Sequence, residues 1–354
     1  MESRKTMAEA TETKTIPVEK FVEDILATID REREREIISR RYGLYDRKET
    51  LEQIGELLGI TRERVRQLEK AVITKMRTNA AKELPHITEI EEIVGAMLTE
   101  MGGASKIKTL AEKILDGDAT KIDQSRVSFL VRLSPALTHV DENDHFHNSG
   151  ALASEYSEKT IKDQVKHVID AIKKIAKPVS IEEIAGSMGH PDANKVGALA
   201  SISKSLAALN GRWGLIKWPM VNPKNIRDKI YVILYENGKH MHFDEIAKAI
   251  AGSDFKRKDV TTQAIHNELI KDKRFILVGR GIYALKEWGF KQGTVADVIT
   301  EVLAKAGEPL HRDEIVKLVL KRRFVKETTI LLNLQGKKQF KRTAKATYTL
   351  SDEK

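Results

Sequence analysis

Arg62, Glu63, Arg66, Gln67 and Lys70 fall at relative positions 0, 1, 4, 5 and 8 of the run RERVRQLEK, the spacing of one face of a helix. Their functional groups suit the edges of base pairs. An arginine fork donates to guanine O6 and N7, a glutamine amide pairs with adenine, and a glutamate accepts from cytosine N4. Charged helix faces are more often merely solvated, so the surrounding elements must decide between the two readings.

Those elements are specific. In Leu51 to Met76, LEQIGELLGITRERVRQLEKAVITKM, the spacing predicts two helices joined at Gly59-Ile60-Thr61. Leu51, Ile54, Leu57 and Leu58 form the apolar face of the first helix, and Thr50 with Gln53 forms a capping box ahead of it. Gly59 suits the left-handed residue that ends it. Thr61 caps the second helix, whose buried stripe is Val65, Leu68, Val72 and Met76. A helix-turn-helix presents the N-terminal part of its second helix to the major groove, where these polar residues lie.

Together with Arg31 to Leu44, REREREIISRRYGL, the run TLEQIGELLGITRERVRQLE (Thr50 to Glu69) closely resembles region four of bacterial housekeeping-type sigma factors. The likeness covers about 50 residues and includes recognition residues as well as core ones. It implies a module that reads a promoter −35 element in double-stranded DNA and docks on the β flap of bacterial RNA polymerase. It further implies base contacts from Arg62, Glu63 and Gln67, and from Arg66 either a base or a phosphate contact. Thr61, Arg64 and Lys70 are then supporting residues, Arg64 serving the DNA backbone or an intramolecular pair.

Upstream, Phe21, Val22, Ile25 and Ile29 predict a lead-in helix over 16–29, and Arg31 to Ser39 a charged helix whose alternating Arg and Glu read as a solvated face. Residues 1–15 are polar and read as a disordered tail. Pro85 marks a boundary, giving a head over 16–82.

Beyond it the chain repeats. Four times a long amphipathic helix is followed by a small one: KTLAEKI (Lys108 to Ile114), EEIAGSM (Glu182 to Met188), DEIAKAI (Asp244 to Ile250) and DEIVKLV (Asp313 to Val319). A third helix follows each, expected over 123–133, 193–209, 259–270 and 326–334. The closing segments FILVGRGIYAL (Phe275 to Leu285) and FKRTAKATYTL (Phe340 to Leu350) align without a gap and read as hairpins turning at Arg280-Gly281 and Lys345-Ala346. The expected fold is mainly α: a helix-turn-helix, then about four winged-helix units over 86–150, 156–220, 222–290 and 291–352. The unit from Asn225 to Phe290 resembles the HARE helix-turn-helix domain, found in the δ subunit of bacterial RNA polymerase, in restriction systems and in chromatin proteins. The next unit resembles it less closely.

Charge divides the units. The +9 net charge hides an acidic segment, with 6 basic and 13 acidic residues over 83–155, ahead of three basic ones. In the first unit Asp141, Glu142 and Asp144 tip the hairpin and would repel phosphate, which suits a protein contact or a spacer. Trp213 and Trp218 are expected to close the second unit's core. Lys256, Arg257, Lys258 and Arg280 in the third unit, and Arg322, Arg323, Lys341, Arg342 and Lys345 in the fourth, suit DNA backbone or an acidic protein surface.

No chemistry of bond making is evident. There are no cysteines, no phosphate-binding glycine loop and no GxSxG elbow. His145 and His147, or His240 and His242, lack a third convergent ligand, so no metal or other cofactor is expected. Pro191-Asp192 opens no nuclease motif, because the next acidic residue is Asp228. No apolar run approaches the roughly 20 residues of a membrane span. The expected protein is therefore a cytoplasmic, nucleoid-associated transcription regulator with no small-molecule substrate. Aromatic residues make up 5% of the chain, and no helix is rich enough in them to stack a melted strand, which argues against unaided promoter opening. The alternatives are a polymerase-binding scaffold and the specificity component of a restriction or defence system.

Overall fold

The computed structural model describes residues 16–351 apart from 256, 258, 291 and 292; the 1–15 tail, Lys256 and Lys258 lie outside the described residues. The chain is mainly helical with small antiparallel sheets and divides into two compact units, Met1–Ile216 and Lys217–Lys354.

The first unit begins with α1 (Val18–Ala27), α2 (Glu32–Tyr42), α3 (Leu51–Leu58) and α4 (Arg62–Thr78). After the single turn α5 (Ala80–Glu83) come α6 (Ile87–Glu100), β1 (Ala104–Lys106), α7 (Ile107–Leu115), α8 (Lys121–Leu133), β2 (Leu137–Val140) and β3 (Ser149–Leu152). Then follow α9 (Glu158–Ile175), α10 (Ile181–Met188), α11 (Ala193–Ile202), β4 (Leu206–Leu209) and β5 (Arg212–Leu215). The second unit runs α12 (Ile226–Asn237), β6 (Met241–His242), α13 (Phe243–Ala251), α14 (Thr262–Lys271), β7 (Phe275–Gly279) and β8 (Ile282–Leu285). It ends with α15 (Val295–Ala306), β9 (Leu310–His311), α16 (Arg312–Leu320), α17 (Glu327–Gly336), β10 (Phe340–Ala344) and β11 (Thr347–Leu350).

From α6 onward the same order recurs four times: three helices and a closing hairpin. In three of the repeats a short strand after the first helix joins the hairpin, giving sheets β1-β3-β2, β6-β8-β7 and β9-β11-β10. In the other repeat a bridge between Val179 and Trp213 takes that place beside β4 and β5. The gapless alignment of the last two hairpins is structural as well. Phe275 faces Leu285 and Phe340 faces Leu350, and each ladder slips at the same point, between Leu277 and Gly279 and between Arg342 and Ala344.

One expected helix is too long. The third helix of the second repeat stops at Ile202 rather than reaching Leu209. Leu206 to Leu209 carry helix-forming Leu and Ala, but they pair with Arg212–Leu215 across Asn210-Gly211, both at positive φ (49° and 74°). An Asn-Gly turn with left-handed residues matches the twist of a two-stranded ribbon, and that pairing overrides local propensity.

The main core does not stop at Pro85. A continuous apolar cluster gathers Ile16, Phe21, Val22 and Ile25 from the α1 region, Ile38 from α2, Val72 and Met76 from α4, then Ile90, Leu98, Leu110, Phe129 and Leu137. α8 lies within it, with every residue from Arg126 to Val131 buried. Arg126 shows how a charge is accommodated there: its Nε donates to the Leu44 carbonyl at 2.9 Å and its Nη2 donates to Glu19. Both partners belong to the head, so Arg126 fastens the first repeat beneath it.

His139 of β2 is similarly enclosed. Arg132 Nη2 donates to its Nδ1 at 3.0 Å, and its Nε2 lies 2.9 Å from Ser128 Oγ. An arginine only donates, so Nδ1 must accept and the neutral ring carries its proton on Nε2. Burial first, and the Arg132 charge second, push this histidine down to about 4.

Third helices differ between the repeats. α8 is enclosed, and α11 packs so closely on the turn leading into β1 that a Cβ on Gly102 would stand 2.6 Å from the Asn194 carbonyl oxygen. By contrast α14 buries only Ile265 and Leu269, and α17 only Ile330 and Leu334, leaving one side of each helix in solvent.

Two outcomes are expected. Arg126→Ala strands the buried Leu44 carbonyl and should cost about 2–3 kcal/mol, read from the midpoint of urea unfolding. Because His139 is neutral in the fold and ordinary when unfolded, the unfolded chain takes up the extra proton between about pH 6.5 and 4. Stability should therefore decline as pH falls through that window. His139→Gln should remove that part of the slope in pH-dependent thermal melts.

Candidate nucleic-acid interface

The turn between α3 and α4 is built from short-range bonds. Thr50 Oγ1 accepts from the Gln53 amide at 3.2 Å while Gln53 Oε1 accepts from the Thr50 amide at 2.9 Å, the reciprocal capping box. Gly59 takes φ of 64°, and the Ile60 amide returns to the Gly55 carbonyl at 2.9 Å. Thr61 Oγ1 then accepts from the Arg64 amide at 3.2 Å and opens α4. The two helices meet so tightly that a Cβ on Gly55 would lie 2.7 Å from the Ile60 carbonyl oxygen. A glycine in mid-helix is here a condition of the interhelical angle, which no capping or periodic signal in the sequence marks.

The head's inner face is Ile37, Ile54 and Val65, with Leu51, Leu58, Ile60 and Leu68 packed around them. Leu57 departs from the expected apolar face and is 55% exposed. At about 100° per residue it lies about 100° around the helix from Leu58, off the side that meets α2 and α4.

The alternating run at the start of α2 is exposed at Arg31, Glu32 and Arg33, as its charge pattern predicts, yet α2 also braces the turn. Arg33 donates to the Leu58 carbonyl, the last of α3. Arg40 bridges Glu36 and Glu49, both at 2.9 Å, and Arg41 reaches Glu69 of α4 at 3.3 Å and the Glu49 carbonyl at 3.2 Å. Partners up to 28 residues away leave no periodic trace, which is why these roles were invisible beforehand.

Outward from that frame, Thr61, Arg62, Glu63, Arg64, Arg66, Gln67 and Lys70 are all exposed, interrupted only by buried Val65 and half-buried Leu68 and Glu69. The side chains are ordered by one another. Arg66 donates a fork to Glu63 at 2.8 and 2.6 Å, Gln67 donates to Glu63 at 3.3 Å, and Arg62 pairs with Glu52 of α3 at 2.7 Å. The Arg66 fork, foremost, holds the Glu63 carboxyl down to about 2, so it is ionised throughout the physiological range. The face thus offers forks, an amide and a fixed acceptor at the leading end of a helix, where the dipole also favours phosphate.

The remaining candidates are dispersed over the second unit. Arg280 is exposed at its hairpin tip, as are Lys341, Arg342 and Lys345 on theirs. Arg257 is exposed at φ of 55°, and its carbonyl accepts from the buried Lys229 ammonium, a residue that no sequence motif marks. Arg322 lies 3.7 Å from Glu301, and Arg323 donates to the Gly293 carbonyl; both are partly buried beside the loop where the Phe324 amide donates to the Val278 carbonyl. On its open side α14 carries Gln263 and Asn267, hydrogen-bonded at 3.1 Å.

Residues 31–78 match the family model of Sigma-70, region 4. The RNA polymerase sigma factor SigA1 of Synechococcus elongatus is 47% identical over 57 residues, 16% of this chain and 14% of that protein. The sigma factor RpoS of Coxiella burnetii is 38% identical over 81 residues, covering 23% and 20% respectively, and SigA of a Bacillus species 46% over 57, covering 16% and 15%. The chain thus spans no more than a fifth of the length of these relatives. Helix-turn-helix, exposed face and family match define residues 31–78 as a sigma-factor-like DNA-binding domain of a kind that is not enzymatic. Among the described residues no helix is long and apolar enough to cross a membrane.

The turn geometry separates two glycines. Gly59 has nothing within 4 Å of a built Cβ, so Gly59→Ala should cost only the left-handed strain, about 1–2 kcal/mol. Gly55 has helical backbone, so Gly55→Ala carries no left-handed strain; it must instead push α3 from the Ile60 carbonyl 2.7 Å away, and should destabilise the head while displacing α4. Thermal melts, with the Arg64 and Arg66 amide shifts by NMR, would separate a local penalty from a moved helix.

Proposed function

We propose that this protein is a sequence-specific transcription regulator of sigma-factor type. Its α4 enters the major groove of a −35-like promoter element, with Arg62, Glu63 and Gln67 on base edges and Arg66 on a base or the adjoining phosphate. Thr61, Arg64 and Lys70 hold the DNA backbone. The observation that carries this reading is the exposed Arg62-Glu63-Arg66-Gln67 face at the capped end of α4. In the free protein Arg66 and Gln67 are bound to Glu63, so DNA must exchange those bonds for bonds to bases. Such an exchange between hydrogen-bonded states rewards a matching sequence and penalises one that leaves a partner stranded.

The four repeats are winged-helix units, the third of HARE type. The exposed sides of α14 and α17, with Arg280, Lys341, Arg342 and Lys345 on the hairpins, supply salt-sensitive contacts to phosphate. The first two repeats, whose third helices are enclosed, serve as support. The names of the relatives, RNA polymerase sigma factors, support RNA polymerase as the protein partner; docking of the head on its β flap and action at the nucleoid in the cytoplasm belong to the same proposal. A polymerase-bound scaffold without base readout is the competing reading, favoured by the acidic 83–155 segment.

Binding to duplexes with and without a −35-like hexamer, read by fluorescence anisotropy, decides between them. Arg62→Ala with Gln67→Ala should erase sequence preference by about 1–3 kcal/mol per contact. Lys341→Ala, Arg342→Ala and Lys345→Ala together should keep the preference and reduce the log-log salt slope by up to about 3. Equal affinity for both duplexes, unaltered by the Arg62 and Gln67 changes, would sink base readout.

A further inference from the structure

A cavity of about 700 Å³ lies between the head and the first repeat, away from the exposed face of α4. Four separate segments line it: the loop between α2 and α3, the starts of α7 and α8, and the loop between β2 and β3. They contribute Arg47, Lys48, Lys106, Lys108 and Lys121, five cations against the two carboxylates Asp46 and Glu142.

The imbalance is sharper than that count. Glu142 is engaged by Lys204 at 2.8 Å, a lysine outside the lining, and is shared between that lysine and Lys48. Lys108 has Glu112 at 3.5 Å, whereas Arg47, Lys48 and Lys121 form no ion pair among the described residues. Lys48 is accessible to solvent, yet desolvation first and the Arg132 charge next lower its ammonium below the usual lysine range. Cations that converge on one recess from four segments can each reach a single bound anion.

Size and shape select the ligand. The volume falls in the range of small-molecule sites, and the lining adds the amides of Gln124 and Asn148 for orientation. We propose that this cavity binds a small polyanion of nucleotide size through its phosphate groups, bridging the head and the first repeat. The loop it clamps also carries Glu49, which holds Arg40, and Thr50, which caps α3, so occupancy stiffens the support of the DNA-reading helix. Binding itself does not depend on how that helix is used.

Isothermal titration of the full chain with inorganic triphosphate, and separately with ATP in the absence of divalent metal, tests the site. One equivalent should bind in each case, and Arg47→Ala with Lys121→Ala should weaken it at least tenfold while leaving circular dichroism and the melting temperature without ligand unchanged. Lys48→Gln should weaken it as well. Lys337→Ala with Lys338→Ala, removing two lysines outside the cavity, should have no effect. The proposal fails if the Arg47 and Lys121 variant binds like the wild type, or if the Lys337 and Lys338 variant loses as much. It also fails if a short duplex lacking any −35-like hexamer displaces the triphosphate one for one, because the phosphate source would then be nucleic acid.

Discussion

Close contact between α3 and α4 at Gly55 governs the molecule's most informative surface. The Ile60 carbonyl occupies the space a side chain at Gly55 would need, and the turn closes behind it through the Ile60 amide and the Thr61 cap. With that angle fixed, Val65 must point inward to Ile37 and Ile54, and Arg62, Glu63, Arg66 and Gln67 must point outward. Placement of four polar side chains is thus a consequence of one backbone contact and a helical period.

Electrostatics then arranges the outward face. Glu63 is the hub, accepting from Arg66 and Gln67, while Glu52 draws Arg62 toward α3. These are exposed pairs and contribute little to stability. Their consequence is order: the donors are held in defined positions by weak bonds that a better acceptor can replace. α2 works in the opposite sense, as its arginines engage carbonyls and carboxylates of the head itself and are committed to structure.

The repeats share one chain order and have different surroundings. Burial of α8 in a core that begins at Ile16, with Arg126 as the polar link, makes head and first repeat one body. α11 is covered by β1, while α14 and α17 each keep an open side. A third helix common to all four sequences is therefore available for contact in only two of them.

The sequence determined a good deal by itself, because many of its signals are local. Capping pairs act over three residues, a left-handed glycine acts at one, and the spacing of Val65 within TRERVRQLE divides inside from outside. The hairpins followed for the same reason, from the gapless match of FILVGRGIYAL and FKRTAKATYTL. Tertiary structure decided whatever joins residues far apart in the chain. Only folding could bring Arg33, Arg40 and Arg41 of α2 to brace the turn, leave Leu57 outside the core, enclose α8, withdraw Arg322 and Arg323 toward the loop at Phe324, or collect five cations from four segments around one cavity. Periodicity records which side of an element is apolar; it does not record which other element comes to lie against it.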